Sequence, residues 1–200
     1  MSGIMATKTD KKELDEIMSA SETVNLGLLS ASFHYLGNDI DEDSVSEVIR
    51  WIVYENLKPE PEKTLTLMIN SVGGDLSQAF ALIDIMKNSK HPIRTIGIGS
   101  VISAAFLIFA SGTRGERFIA RNTSIMCHQY SSSSEGKHHD IKAYSKEMEF
   151  TNKRMINILK EATDLDLKTI RSKLLPPTDV WMTPADLITF GIADNYLNYT

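Results

Sequence analysis

The sequence predicts an α/β fold: a largely parallel sheet covered by helices. Apolar stretches of strand length alternate with stretches of helical spacing over most of the chain, as a parallel sheet with crossover helices requires. Two strand-to-helix junctions, Asn70-Ser71-Val72-Gly73-Gly74 and Gly99-Ser100-Val101-Ile102-Ser103, are short and carry glycine, which permits the sharp turn such a crossover needs. Two hundred residues suit one domain and can bury a substantial core.

Residues 1–32 have no strong period and are expected to form an arm with one or two helical turns, ahead of a domain spanning 33–200. From Asp43, Val45, Val48, Ile49, Ile52 and Val53 recur at helical spacing, with Ser44 available as cap. The stretch from Lys58 to Lys63 holds two prolines and reads as a loop. Leu65 to Ile69 is a strand, ended by Gly73-Gly74. A helix from Asp75 or Leu76 to Asn88 would bury Phe80, Ile83 and Met86. After Pro92 come a strand, Ile93 to Ile98, and a helix, Ser103 to Ser111, stopped by Gly112. Arg117 to Ile119 and Ser124 to Cys127 read as short strands. Asp140 to Thr163 is the longest helical pattern, and Leu165 to Leu174 a further helix broken by Pro176-Pro177. A last helix starts at Pro184 behind the cap Thr183 and ends at Gly191, and Ile192 to Leu197 closes as a strand.

Composition narrows the function. A formal charge of -5 with mixed signs along the chain argues against a general nucleic-acid surface, which needs clustered Lys and Arg. Cys127 is the only cysteine, so no intrachain disulfide forms and a reducing compartment, the cytoplasm, is expected. The first residues lack the apolar run of a secretory signal. The apolar stretch Ile96 to Ala110 is shorter than the ~20 residues of a membrane span and is interrupted by glycine and serine. There is no P-loop or dinucleotide fingerprint, and His138, His139 and Asp140 lack a second ligand pair at a metal-binding spacing, so no metal is expected.

The chemistry gathers at the two junctions. Backbone N–H groups after Gly73-Gly74 can face an anion or a developing oxyanion, although an ordinary turn would use the same residues. Ser103 stands at the first turn of an apolar helix, where the helix dipole favours negative charge; taken alone, a serine there reads as an N-cap. A serine nucleophile needs a base, and His128, ending the apolar run Ile125-Met126-Cys127, is the histidine at a strand terminus. A carboxylate would orient the imidazole, and Asp179, between Pro177 and Val180-Trp181-Met182, is the candidate, with a turn aspartate as the plainer reading.

Together these motifs resemble the proteolytic subunit of the Clp protease, the ClpP family, over roughly Phe33 to Leu197. The resemblance rests on Met68 to Gly74, Ile98-Gly99 through Ser103 to Leu107, Ala110-Ser111-Gly112, Arg117-Phe118, and Asn122 to Gln129. It continues in Trp181 to Asp186 and Gly191 to Asp194. It implies a crotonase-like fold of repeated β-β-α units with a long handle helix, the handle region covering about 131–163. It implies Ser103 as nucleophile, His128 as general base and then acid, and Asp179 orienting His128. The N–H groups of Gly74 and Ala104 would form the oxyanion hole, and Gly73, Gln129, Tyr130 and Ser131 would bind substrate. It further implies two stacked heptameric rings, an ATP-driven AAA+ unfoldase that feeds in unfolded polypeptides, and no cofactor in the peptidase itself.

The chain departs from the family pattern at several places. Val72 stands where proline is usual, Ala104-Ala105 where Met-Gly or a similar pair is usual, and Tyr130 where proline follows the His-Gln pair. The Ser131 to Ser134 run replaces a glycine-rich strand that helps to bind substrate and join the rings. Thr66 and Met68 stand where aromatic residues line the unfoldase-docking pocket. Two other readings stay open: a non-catalytic ring subunit, and a crotonase-like enzyme that polarises an acyl-CoA thioester.

Overall fold

The structure, a computed structural model, describes residues 19–132 and 135–198. Its centre is a seven-stranded sheet. Strands β1 (Phe33–Leu36), β2 (Leu65–Ser71), β3 (Ile93–Ile102), β4 (Arg117–Ile119) and β7 (Asn195–Tyr196) run in that order, every pair parallel. The parallel sheet expected from strand–helix alternation is therefore present. One antiparallel pair departs from it, between β5 (Ser124–Cys127) and β6 (Val180–Met182).

Strand β3 is longer than its apolar run suggested, and it serves two neighbours in succession. Its first half pairs with β4, Thr95 opposite Arg117, and its second half with β5, Ser100 opposite Ser124. The change of partner falls at Gly99, whose φ of +56° bends the strand. A Cβ there would sit 2.3 Å from Asn70 Oδ1, so the bend and the close approach both require glycine. Asn70 Oδ1 accepts the Ser100 amide at 2.9 Å, tying the end of β2 to the bend.

The helices follow the sequence pattern with local corrections. Residues 20–30, expected to contribute one or two turns, form an eleven-residue helix, α1 (Ala20–Ser30), whose capping box joins Ser19 and Glu22; the rest of the expected arm, residues 1–18, lies outside the described residues. Helix α2 (Glu42–Leu57) starts earlier than expected, and its cap is Asp41 rather than Ser44. Asp41 Oδ1 accepts the Ser44 amide at 2.8 Å, and the Asp41 amide in turn donates to the Ser44 hydroxyl oxygen, so the two share one capping box. Helix α3 (Leu76–Lys87) buries Phe80, Ile83 and Met86, as expected.

Helix α4 (Ala104–Ala110) buries all seven of its residues. The long helix α5 (His138–Ala162) buries Thr151, Met155, Ile158, Leu159 and Ala162, all in its second half. Beyond it, the helix expected over 165–174 is only a short turn, α6 (Leu167–Thr169), running into a wider π-helical turn over 170–174. Helix α7 (Pro184–Thr189) has Thr183 as its cap, as expected, and β7 keeps two of the six residues expected of it.

The C-terminal segment is tied back by Arg117 on β4, which is 2 % exposed. Its guanidinium bonds both oxygens of Asp194, at 2.9 and 2.6 Å, and donates to the Ala162 carbonyl at 2.7 Å. Burial raises the Asp194 carboxyl, but Arg117, with the Gly115 amide, outweighs it and holds the group below the usual range.

Candidate active site

Parallel pairing of β3 with β5 sets Ile102 opposite Met126. Ser103 is thus one residue past the last rung and His128 two residues past it, although 25 residues separate them in sequence. The Ser103 amide donates to the Met126 carbonyl at 2.9 Å and fixes the end of β3 against β5. Side chains alternate along a strand. Cys127 turns into the core, where burial pushes its thiol up to about 12. His128 is half-buried, and its Nε2 lies 2.7 Å from Ser103 Oγ.

Ser103 is not a capping residue, the reading its position alone favoured. Its hydroxyl makes no bond to the amides of α4, and its backbone is at φ 57°, ψ -120°, a region that L-residues avoid. Such a conformation costs about 1–3 kcal/mol and persists only where the surroundings enforce it. Here the enforcing contacts are visible. The Ser103 amide is held by β5, and α4 behind it is wholly buried.

The first junction packs directly on the second. Gly73 has φ +99°, and a Cβ on it would fall 2.8 Å from both the Ile102 carbonyl oxygen and Ser103 Cβ. Only glycine lets the two segments approach this closely. Gly74 follows, aligned with Ile40 as an isolated parallel bridge: Ile40 N–H donates to the Gly73 carbonyl, and Asp75 N–H donates to the Ile40 carbonyl. That pairing leaves the Gly74 N–H unused. Neither it nor the Ala104 N–H has a hydrogen-bond acceptor among the described residues. Both candidates for an oxyanion hole are therefore free donors beside Ser103.

Asp179 is placed differently. The β5–β6 register sets Cys127 opposite Val180, so one step further along the antiparallel pair Asp179 comes opposite His128. Residues directly opposite lie on the same face with Cβ atoms ~4.5–5.5 Å apart. The Asp179 side chain is nevertheless exposed and makes no hydrogen bond to His128. The structure thus brings Ser103 and His128 into contact and leaves Asp179 unbonded across the strand pair.

The residues expected to bind substrate divide as well. Gly73 is buried in the junction. Gln129 is exposed and its amide donates to the Leu175 carbonyl at 2.8 Å. The Tyr130 amide donates to Asn152 Oδ1 on α5 at 3.1 Å, which holds the segment after His128 against the long helix. Ser131 is exposed, in backbone that pairs with no strand, and Ser133-Ser134 lie outside the described residues.

The sequence reading missed the contribution of α5. Phe80, Tyr130, Glu147 and Thr151 enclose a cavity of about 250 Å3 with Gly74 in its wall. Glu147 and Thr151 are four residues apart and so share a helix face. That spacing is visible in the sequence, but nothing there shows which face turns toward Gly74. Among the described residues no helix is long and apolar enough to cross a membrane.

The chain resembles known proteins over most of its length. A family model described as Clp protease matches residues 28–199. The chain is 28% identical over 171 residues, 86% of its length and 86% of the relative's, to a protein of Prochlorococcus marinus subsp. pastoris named ATP-dependent Clp protease proteolytic subunit 1. A protein of the same name from a second Prochlorococcus marinus strain is 27% identical over the same shares. ATP-dependent Clp protease proteolytic subunit 4, chloroplastic, of Arabidopsis thaliana is 28% identical over 86% of this chain and 58% of its own length.

Proposed function

The chain belongs to the Clp protease family, and we propose that it is a proteolytic subunit of that kind, a serine endopeptidase that cuts unfolded polypeptides inside a ring chamber. The observation that carries the reading is the 2.7 Å contact between Ser103 Oγ and His128 Nε2, made by a serine in a strained conformation that gives up its capping bond. In the mechanism, His128 Nε2 takes the hydroxyl proton as Ser103 Oγ bonds to the peptide carbonyl carbon. The carbonyl oxygen gains the negative charge and is met by the Gly74 and Ala104 N–H groups, each such donor contributing about 3–4 kcal/mol in comparable sites. Collapse of the intermediate breaks the C–N bond, and His128 returns the proton to the leaving amine. Water then repeats the sequence on the acyl-enzyme, with His128 again as base.

Asp179 is assigned the orienting role on His128 Nδ1, supported by the strand register that sets the two opposite each other. The exposed and unbonded Asp179 is also the one observation that favours the second reading, a ring subunit without activity. Thioester polarisation by a crotonase-like enzyme would not call for the Ser103–His128 contact. The proposed chemistry uses only side chains and backbone amides and needs no cofactor.

Assembly into two stacked heptameric rings and docking of an AAA+ unfoldase follow from the family. The apolar side chains left exposed on this single chain, Tyr54 and Leu57 on α2 and Ile141 and Phe150 on α5, support an assembled state. The cytoplasm is the proposed location, on the single cysteine that leaves no intrachain disulfide to form.

A fluorophosphonate probe tests the reading. Labelling that maps to Ser103 and vanishes in Ser103→Ala supports it, and a wild-type chain that stays unlabelled at Ser103 in its assembled form removes the peptidase. Sedimentation tests the rings: a species no larger than a dimer across conditions contradicts them.

A further inference from the structure

His128 stands just past the reach of its strand. The last rung of β5 sets Cys127 opposite Val180, and residues 128–132 belong to no strand or helix. The imidazole is not held from behind either. Its Nε2 lies on Ser103 Oγ, and its Nδ1 has no hydrogen-bond partner among the described residues. Where the ring stands therefore depends on where the main chain around residue 128 is fixed.

On one side the β5–β6 ladder fixes it. On the other, of the amides of residues 129–132, that of Tyr130 alone has an acceptor among the described residues, Asn152 Oδ1 at 3.1 Å. Gln129 Nε2 donates to the Leu175 carbonyl, and the Tyr144 hydroxyl donates to the Ser132 hydroxyl. Both of those bonds run through rotatable side chains of the segment, whereas Asn152 grips its main chain. Asn152 is itself half-buried on α5, between Thr151 and Met155, both of which are buried. Its side chain is short and presents the oxygen that an N–H requires. Tyr130 stands where proline is usual in the family, and proline has no N–H to give. The bond is thus a feature of this chain rather than of the family pattern.

We propose that Asn152 is a positioning residue for His128, holding the main chain two residues beyond it through the Tyr130 N–H. The proposal rests on the peptidase reading above and deepens it. Asp179 is assigned the orientation of the ring, and Asn152 the place of the backbone that carries it. Proton transfer from Ser103 requires the two side chains within hydrogen-bond reach, and a misplacement of 1 Å can cost about 10^2-fold in rate. A lost tether that still leaves the β5 rung in place should cost less, on the order of tenfold.

The test is steady-state hydrolysis of a short fluorogenic peptide by the assembled chain. Asn152→Leu keeps the shape and removes the acceptor; kcat should fall about tenfold, with KM within about twofold. Asn152→Asp keeps an acceptor for the Tyr130 N–H and should return kcat to within about threefold of wild type. Tyr130→Pro removes the N–H itself, so adding Asn152→Leu to it should bring no further loss. A bond of structural value alone would lower Tm and leave kcat of the folded enzyme unchanged. The proposal is overturned by a leucine variant with wild-type kcat, by an aspartate variant as slow as the leucine one, or by a full tenfold loss in the proline background. Asn152→Ala carries the test if the leucine variant does not fold. A wild-type chain that neither cuts the peptide nor takes up fluorophosphonate at Ser103 sinks the peptidase reading. A wild type that does both, matched by the leucine variant, sinks this proposal alone.

Discussion

At the end of β2 the chain enters α3 through Asp75, whose carboxylate caps the helix by accepting the Ser77 and Gln78 amides. At the end of β3 it enters α4 through Ser103, which stands in the same position, lacks any capping bond, adopts φ 57°, and turns its hydroxyl to His128. The difference follows from what each helix can lean on. Helix α3 has exposed residues along its length, whereas α4 buries all of its own, including Phe106 and Phe109. Burying one phenylalanine stabilises by about 1.5–3 kcal/mol, so two of them offset a missing cap worth ~1 kcal/mol and a strained backbone costing ~1–3 kcal/mol. A helix held by the core frees its first side chain for chemistry.

The largest test of that contrast is Ser103→Ala. Peptide hydrolysis should fall on the order of 10^4–10^6-fold, while stability moves by less than about 1 kcal/mol because no capping bond is lost. Steady-state kinetics and a thermal melt on one sample check both halves. A clear drop in Tm would mean that the serine contributes to the helix after all, and the contrast with Asp75 would fail.

Gly73→Ala comes next. The new Cβ would meet Ser103 Cβ and the Ile102 carbonyl at 2.8 Å, and the residue keeps φ +99°. Displacing the proposed nucleophile by a fraction of an ångström should lower kcat/KM about 10^2-fold, with a stability loss of about 1–3 kcal/mol from strain. Gly115→Ala separates the causes: it carries φ +88° with nothing within 4 Å of its Cβ, and should cost stability while leaving hydrolysis unchanged. Equal loss of activity in both variants would show that general destabilisation, rather than contact between the junctions, governs the site.

Asp75→Ala should remove a working cap and lower stability by about 1 kcal/mol, a Tm decrease on the order of 2–4 °C for a chain of this size. Asn caps as well as Asp, so Asp75→Asn should recover most of the loss. If alanine at 75 costs no more than alanine at 103, the two junctions do not differ in the way their hydrogen bonds indicate.

The strand-helix alternation made the sheet legible, because period and turn residues are local properties. The site was legible in part for the same reason: Gly73-Gly74, Ser103 and His128 each sit at the end of an apolar run. What remained hidden depends on distance in space. That Ser103 has positive φ follows from its amide bonding Met126, a partner fixed by strand register. That Glu147 and Thr151 face Gly74 follows from how α5 rolls against α3. Asp41 rather than Ser44 caps α2 because each serves the other in one box, and spacing alone does not say which comes first. Asp179 comes opposite His128, but a strand pairing fixes the backbone and leaves the carboxylate its choice of rotamer.

The smallest effect tests the strain alone. Ser103→Gly removes the proposed nucleophile and also the Cβ that makes φ 57° unfavourable. Relief of about 1–3 kcal/mol of strain is set against the ~0.4–1 kcal/mol by which glycine loosens the unfolded chain. The balance favours the inactive variant by about 1 kcal/mol, a Tm gain on the order of 2–4 °C. Ser103→Ala lacks the serine equally but keeps the Cβ, and should show no such gain. A glycine variant more stable than the alanine variant would mean that the fold holds this backbone against its own preference. The packing that spares Ser103 from capping would then also be what holds it in the conformation that faces His128.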